Sequence, residues 1–266
     1  MGFCLGLSVE AEAAQKFHLI YSNGMKNTVQ DAQHSAQILK KRLLDKLKKL
    51  KRGEVSLWKE VDSSVAYNFD DTIAREVKEV YEQKKSERDR LFWEWYQTSV
   101  DVDETFKRMV YEEMSQCRLE HRIDETLWHH RELYLQQLKD GFDLMVVAHS
   151  QGNLFANALY DRIQLDDAMS AKRVHLVAVA TPASVVGGNG PHVTLKSDGV
   201  INSLLPYLLS EGLLKPLDPN VENKIPKPGF MDHEFVKHYL LGDQSGAKII
   251  EAVMTKILRK NKQLPK

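Results

Sequence analysis

Ser150 stands in the run Ala148-His149-Ser150-Gln151-Gly152, directly after the apolar stretch Leu144-Met145-Val146-Val147 and ahead of a helical pattern that opens at Leu154. A serine hydroxyl is a poor nucleophile at neutral pH and needs a general base beside it. A sharp strand-to-helix turn presents such a serine clear of a sheet, provided the residues two before and two after it are small, because the two backbones pass closely there. Ala148 and Gly152 meet that demand. The pattern Ala-x-Ser-x-Gly departs from Gly-x-Ser-x-Gly by one methyl group. The chemistry this points to is covalent acyl transfer with Ser150 as nucleophile.

That chemistry asks for an acid and then a histidine further along the chain, on loops at the carboxyl ends of later strands. Asp198, in Ser197-Asp198-Gly199, follows a candidate strand at 193–196 and is the expected acid. Asp166 and Asp167 precede a strand, and Asp218 lies in a long loop, so they are weaker rivals. Among His175, His192, His233 and His238, the expected base is His233. It sits where the loop containing Pro226 and Pro228 gives way to a helix, so it is free to lean over the sheet edge. His175 falls inside a strand, His192 precedes one, and His238 falls inside the closing helix. The negative oxygen that develops on acyl transfer needs preorganised donors, and losing one typically costs about 3 kcal/mol of barrier. The backbone N–H of Gln151 is the expected first donor. The N–H of Met25, in the loop Asn23-Gly24-Met25, is the second, with Gly24 as its rival and Asn23 orienting the loop.

These residues need a scaffold that brings several loops to one edge. Residues 17–22 read as a short buried strand, followed by the Asn23-Gly24 turn. Residues 28–50 repeat apolar side chains at helical spacing (Ala32, Ala36, Leu39, Leu43, Leu47, Leu50), with Thr28 and Asp31 as a capping start. Residues 65–68 suggest a second strand, with 55–58 as an edge element. Residues 142–148 are the strand before Ser150, and 152–163 the helix after it. Residues 174–180 form a central strand, followed by the strand at 193–196 and a Pro-containing loop at 204–229. Helices at 234–241 and 247–258 close the chain. Strands alternate with helices, so the class is α/β with a mainly parallel sheet. Residues 70–140 differ: they are dense in charge, with Trp93, Trp95, Tyr96 and Trp128 scattered among them. They are too long for an ordinary crossover and read as a helical insertion within a single domain spanning 1–266.

The bulk composition narrows the partners. Lys plus Arg and Asp plus Glu are both 37, which argues against a general nucleic-acid binder. The basic run at 40–52 carries Leu43, Leu44, Leu47 and Leu50 at helical spacing and reads as a solvated helix face. Cys4 and Cys117 fit no disulfide framework. No stretch reaches the length of about 20 apolar residues that crosses a membrane, although transient contact with a membrane surface suits an apolar substrate. Residues 1–14 lack the positive start of a signal peptide, and Gly6 stands where a myristoylation site needs Ser or Thr. A cytoplasmic chain is therefore favoured over a secreted one. His121, His129 and His130 lack a zinc spacing and read as solvated helix residues. Gly187-Gly188-Asn189-Gly190 lacks the Lys-Ser/Thr of a phosphate loop, so no metal or cofactor is expected.

Taken together, Tyr21-Ser22-Asn23-Gly24-Met25 with Asn27-Thr28, Val65-Ala66-Tyr67-Asn68, the Ser150 run with Asn153, Ser197-Asp198-Gly199-Val200-Ile201, and His233-Glu234-Phe235 with Tyr239-Leu240 resemble the α/β-hydrolase superfamily. Within it, the chain resembles a bacterial lipase/esterase-like group. The resemblance implies a serine hydrolase with Ser150, Asp198 and His233 as triad, acting on a lipid or other acyl ester, with residues 70–140 as a cap or lid outside the shared core. Thioester or amide cleavage on the same triad, or a non-catalytic binding module on this scaffold, are the alternative readings.

Overall fold

The computed structural model describes residues 16–24, 27–49, 61–68, 122–204, 216–224 and 232–260. Five strands form one sheet in the order β2-β1-β3-β4-β5, all neighbours parallel. They are β1 (Phe17–Ser22), β2 (Val61–Ala66), β3 (Asp143–His149), β4 (Val174–Val179) and β5 (His192–Val193). Every residue of β1 and β3 is buried, as befits central strands covered on both faces. β2 lies at the sheet edge and carries Asp62, Ser63 and Ser64 in its middle, a polar edge that resists further strand pairing.

Alternation along the strands feeds two cores. Phe17, Leu19 and Tyr21, Met145 and Val147, and Val177 and Val179 face one side. There they pack with α1 (Val29–Lys49) and α5 (Asp243–Lys260). Ile20, Leu144, Val146, Ala148, Leu176 and Ala178 face the other, under α2 (Arg122–Lys139) and α3 (Gly152–Asp166). Burying each large aliphatic or aromatic side chain contributes about 1.5–3 kcal/mol, so these layers hold the sheet rigid beneath its loops. α1 starts on a reciprocal cap: Asp31 N–H donates to Thr28 Oγ1 (3.1 Å) and Thr28 N–H to Asp31 Oδ2 (3.0 Å). A short helix α4 (Ala168–Ala171), started by the Asp167 side chain, leads into β4.

The register levels the carboxyl ends: Ser22 lies opposite both Ala66 and Ala148, and His149 opposite Val179. From β1 the chain runs outward to β2 and then returns to β3 on the other side, so the strand order reverses between β1 and β3. In open α/β sheets, the crevice outside the strand ends at such a reversal is where ligands bind.

Several boundaries differ from the sequence expectation. The second strand is Val61–Ala66 rather than 65–68, so Tyr67 and Asn68 lie beyond it. The strand expected at 193–196 keeps only His192–Val193 in the sheet. Leu195 instead bridges to Val221, and Lys196 N–H donates to the Val221 carbonyl, which turns the chain away from β4. The helix expected at 234–241 is a π-helical turn at Phe235–Leu240, and a second such turn spans Val200–Leu204. Of the expected insertion, the described part is α2. The edge element at 55–58 and the residues Trp93, Trp95 and Tyr96 lie outside the described residues. Among the described residues, no helix is long and apolar enough to cross a membrane.

Candidate active site

The turn between β3 and α3 holds Ser150 at φ +53°, a left-handed conformation that is rare and costly for a residue with a side chain. The surroundings enforce it. Ser150 N–H donates to the Val179 carbonyl (3.0 Å), and Asn153 Nδ2 donates to the carbonyls of both Ser150 and Val179 (2.9 Å each). Gly152 meets the end of β1 so closely that a Cβ there would lie 2.6 Å from the Ser22 carbonyl oxygen and 2.7 Å from that of Asn23. Ala148 lies buried in the core under α2 and α3, where the methyl group that sets it apart from glycine has packing partners.

Three residues 35 to 83 positions apart in sequence meet here. His233 Nδ1 lies 2.8 Å from Asp198 Oδ2, and His233 Nε2 lies 2.8 Å from Ser150 Oγ. Asp198 is fully buried, which works to raise its pKa. The adjacent His233, its hydrogen bond, that of Tyr239 and the Ile201 N–H outweigh burial and hold the carboxyl below its ordinary value. An ionised Asp198 can only accept, so His233 carries its proton on Nδ1. That leaves Nε2 as an acceptor for the Ser150 hydroxyl. Asp198 arrives at the start of a π-helical turn: its Oδ1 accepts Ile201 N–H (3.0 Å), and its carbonyl accepts Asn202 N–H (2.9 Å).

His149 ties this arrangement together. Its Nε2–H donates to the His233 carbonyl (2.8 Å), and the two rings lie 5.0 Å apart. Burial, reinforced by the neighbouring His233, lowers the His149 pKa to about 3, so it is a neutral donor at physiological pH. Its other nitrogen faces Gly24, where an added Cβ would lie 3.1 Å from His149 Nδ1 and 2.8 Å from Ser150 Cβ. Only glycine permits that approach, so the loop after β1 presses its backbone against the serine.

The same loop is latched from β2. Asn68 N–H donates to Asn23 Oδ1 (2.9 Å), and Asn68 Nδ2 donates to the Asn23 carbonyl. Asn23 Nδ2 and Asn27 Nδ2 both donate to the Gly24 carbonyl (2.9 and 3.1 Å). Tyr67 OH donates to the Asn27 carbonyl (2.7 Å), and the Tyr67 carbonyl accepts from His130 Nε2 on α2 (3.0 Å). His130 is buried, its pKa lowered to about 4 chiefly by desolvation, which corrects its reading as a solvated helix residue. Its neighbours Trp128 and His129 are exposed, but His130 belongs to a buried stripe with Thr126, Tyr134 and Leu138 at every fourth residue of α2, and its polar neighbours masked that spacing.

Ser150, Asp198 and His233 are thus brought together, and Gln151 follows the serine at the amino end of α3. Met25 lies outside the described residues; Gly24 and Asn23 border the serine. The rivals go elsewhere. Asp166 pairs with Arg131 and Arg162, Asp167 caps α4, and His175 lies 3.6 Å from Asp143 at the far end of the sheet. His192 donates to the Asp218 carbonyl, and His238 accepts the Glu234 N–H and lies 3.7 Å from Asp232. His149, Asn68 and Tyr239, along with Asn27, Tyr67 and Asn153, contribute here although the sequence assigned them no role. No grouping of metal-ligating side chains occurs among the described residues. Compared with family models, curated proteins and solved structures, the chain matches none.

Proposed function

We propose that this chain is a serine hydrolase of the α/β-hydrolase type that cleaves carboxylic esters of lipid or other acyl groups. The observation that carries the reading is the unbroken chain of hydrogen bonds from Ser150 Oγ through His233 to Asp198, at 2.8 Å per step, over a turn with φ +53° at the serine. Its position at the strand-order reversal and the two close-approach glycines, Gly24 and Gly152, support it further.

The geometry supports the following reaction. His233 Nε2 takes the proton from Ser150 Oγ as the oxygen attacks the ester carbonyl. Asp198 holds the ring in its Nδ1–H tautomer and stabilises the imidazolium that forms. The carbonyl oxygen, now negative, is met by the Gln151 N–H, where the helix dipole of α3 also favours negative charge; the second donor is assigned to the loop after β1, with Met25 the residue expected from the sequence. The imidazolium returns its proton to the departing alcohol. Water, deprotonated by the same histidine, then releases the acid. Of residues 70–140, read as an insertion and lid, α2 packs on the sheet through Tyr134 and Leu138; a lid role that shapes acyl selectivity is proposed for the remainder.

A fluorophosphonate probe tests the reading. The folded chain is expected to be labelled at Ser150, with labelling abolished in Ser150→Ala and lowered about 10⁴-fold in Asp198→Asn, in which the tautomer is lost. Labelling that survives Ser150→Ala would overturn it.

A further inference from the structure

Tyr239 has no place in the proton path, yet its hydroxyl lies 2.6 Å from Asp198 Oδ2, the same oxygen that accepts from His233 Nδ1–H. The hydrogen-bond pattern leaves one role for that hydroxyl. Its oxygen accepts the Leu195 N–H at 3.1 Å, so its single proton is directed at the carboxylate, which is ionised and only accepts. The ring is fully buried and belongs to the π-helical turn that begins two residues after His233. The turn itself is pinned from α5, where Ser245 Oγ donates to the Tyr239 carbonyl (2.6 Å). Desolvation and the Asp198 charge hold the phenol pKa well above its ordinary value, so the donor persists across the working pH range.

Two short donors on one carboxylate oxygen share its charge. Each weakens the pull of the oxygen on the other, and together with Ile201 N–H on Oδ1 they fix the carboxylate plane. Resting on the serine-hydrolase reading, we propose that Tyr239 is a positioning residue that sets how firmly Asp198 holds the His233 imidazolium, by donating a second hydrogen bond to the oxygen on which His233 depends. Without that donor, Asp198 Oδ2 faces His233 with its charge undivided. The imidazolium is then stabilised further, the base gives up its proton less readily, and the carboxylate loses one of its anchors.

Other titratable groups lie beside this pair, and one of them, His238, is varied as a control. His149 lies against His233 from β3, and Asp232 and His238 flank it along its own segment. The experiment uses the full chain as wild type, Tyr239→Phe, Asp198→Asn, the double variant, and His238→Gln. The rate of Ser150 labelling by a fluorophosphonate is followed against pH, and the low-field proton resonance of His233 Nδ1–H, identified by its loss in His233→Gln, is recorded by NMR. Tyr239→Phe is expected to move the acid limb upward by about half to one pH unit, to lower the plateau rate several-fold, and to shift the resonance downfield. His238→Gln is expected to leave the limb in place, and Asp198→Asn to erase the effect of Tyr239→Phe. Where removal of the hydroxyl prevents folding, 3-fluorotyrosine at position 239 keeps the ring and strengthens the donor, and the limb moves downward. An unchanged limb and resonance in a folded variant, or the same change in the Asp198→Asn background, would overturn the proposal. Absence of Ser150 labelling in the wild type would instead refute the hydrolase reading, and the resonance would still decide the role of Tyr239.

Discussion

Gly152→Ala tests whether the end of β1 fixes the turn at Ser150. The added Cβ would lie 2.6 Å from the Ser22 carbonyl oxygen, 2.7 Å from that of Asn23 and 2.9 Å from Ser22 Oγ. Carbon and carbonyl oxygen approach to about 3.3 Å at closest, so the methyl group lacks about 0.7 Å of room. β1 cannot withdraw, because it is paired on both sides, with β2 and β3. The start of α3 must move instead, carrying the Gln151 N–H with it. Overpacking of this kind costs about 1–3 kcal/mol, which for a chain of this size lowers Tm by about 3–10 °C. A displacement approaching 1 Å at the reacting groups costs about 100-fold in rate. Hydrolysis of p-nitrophenyl acetate by Gly152→Ala is therefore expected to fall about 30- to 100-fold in kcat. Gly141→Ala is the matched control: at φ +89° with nothing within 4 Å of an added Cβ, it is strained without crowding. It should lose about 1–2 kcal/mol of stability and no activity. A Gly152→Ala chain within threefold of the wild-type rate and within a degree of its Tm would refute the close-approach argument.

Asn68→Ala strands the buried Asn23 carbonyl without its side-chain donor. It is expected to lose about 1–3 kcal/mol of stability and to lower kcat about tenfold with little change in KM; steady-state kinetics with p-nitrophenyl acetate that match wild type would remove the latch from the mechanism. Acid should weaken the fold through His149 and His130, whose folded values of about 3 and about 4 lie below the ordinary 6.5. Because both are depressed, their stabilisation is complete above pH 6.5 and declines as pH falls toward the folded values. Each withdraws up to about 1.4 kcal/mol per pH unit. Urea midpoints should therefore drop between pH 6.5 and 4.5, and His130→Phe should reduce the slope by about half; equal midpoints across that window would contradict the neutral buried assignment. Asp198 adds to this loss only below about pH 4, since its own folded value lies beneath the ordinary carboxylate value.

The division between what the residues announced and what they hid follows the range of the interactions. β3 and β4 are continuous apolar runs, and the serine turn is a local pattern of small residues, so both could be read directly. Asp198 and His233 could be placed because chain order and strand ends constrain where an acid and a base can lie. β2 was displaced because an edge strand with Asp62, Ser63 and Ser64 at its centre lacks the apolar signature of a buried one. The short β5 reflects competition: Leu195 and Lys196 satisfy their backbone groups at Tyr239 and Val221 instead of at β4, and that departure carries the chain to Asp198. The polar contacts that remained hidden span long separations. His149 reaches the His233 carbonyl across 84 residues and Tyr239 reaches Asp198 across 41, and no periodicity encodes either.

That difference in range also divides the site mechanically. The serine turn is held by its own neighbours in the sheet: Val179 of β4 takes the Ser150 N–H, and the end of β1 closes on Gly152. Asp198 and His233 are held from a separate arm, the turns at Val200–Leu204 and Phe235–Leu240, braced on α5 through Ser245. The two meet at His233, whose ring is bound to Ser150 and whose carbonyl is bound to His149, adjacent residues of one turn. Both bonds thus reference the histidine to the same short piece of backbone. Substitutions in the arm that reach Asp198, Tyr239→Phe among them, should therefore shift the acid limb of Ser150 labelling more than they displace Ser150. Substitutions at Gly24 or Gly152 should do the reverse, lowering the plateau rate while leaving the acid limb where it stands.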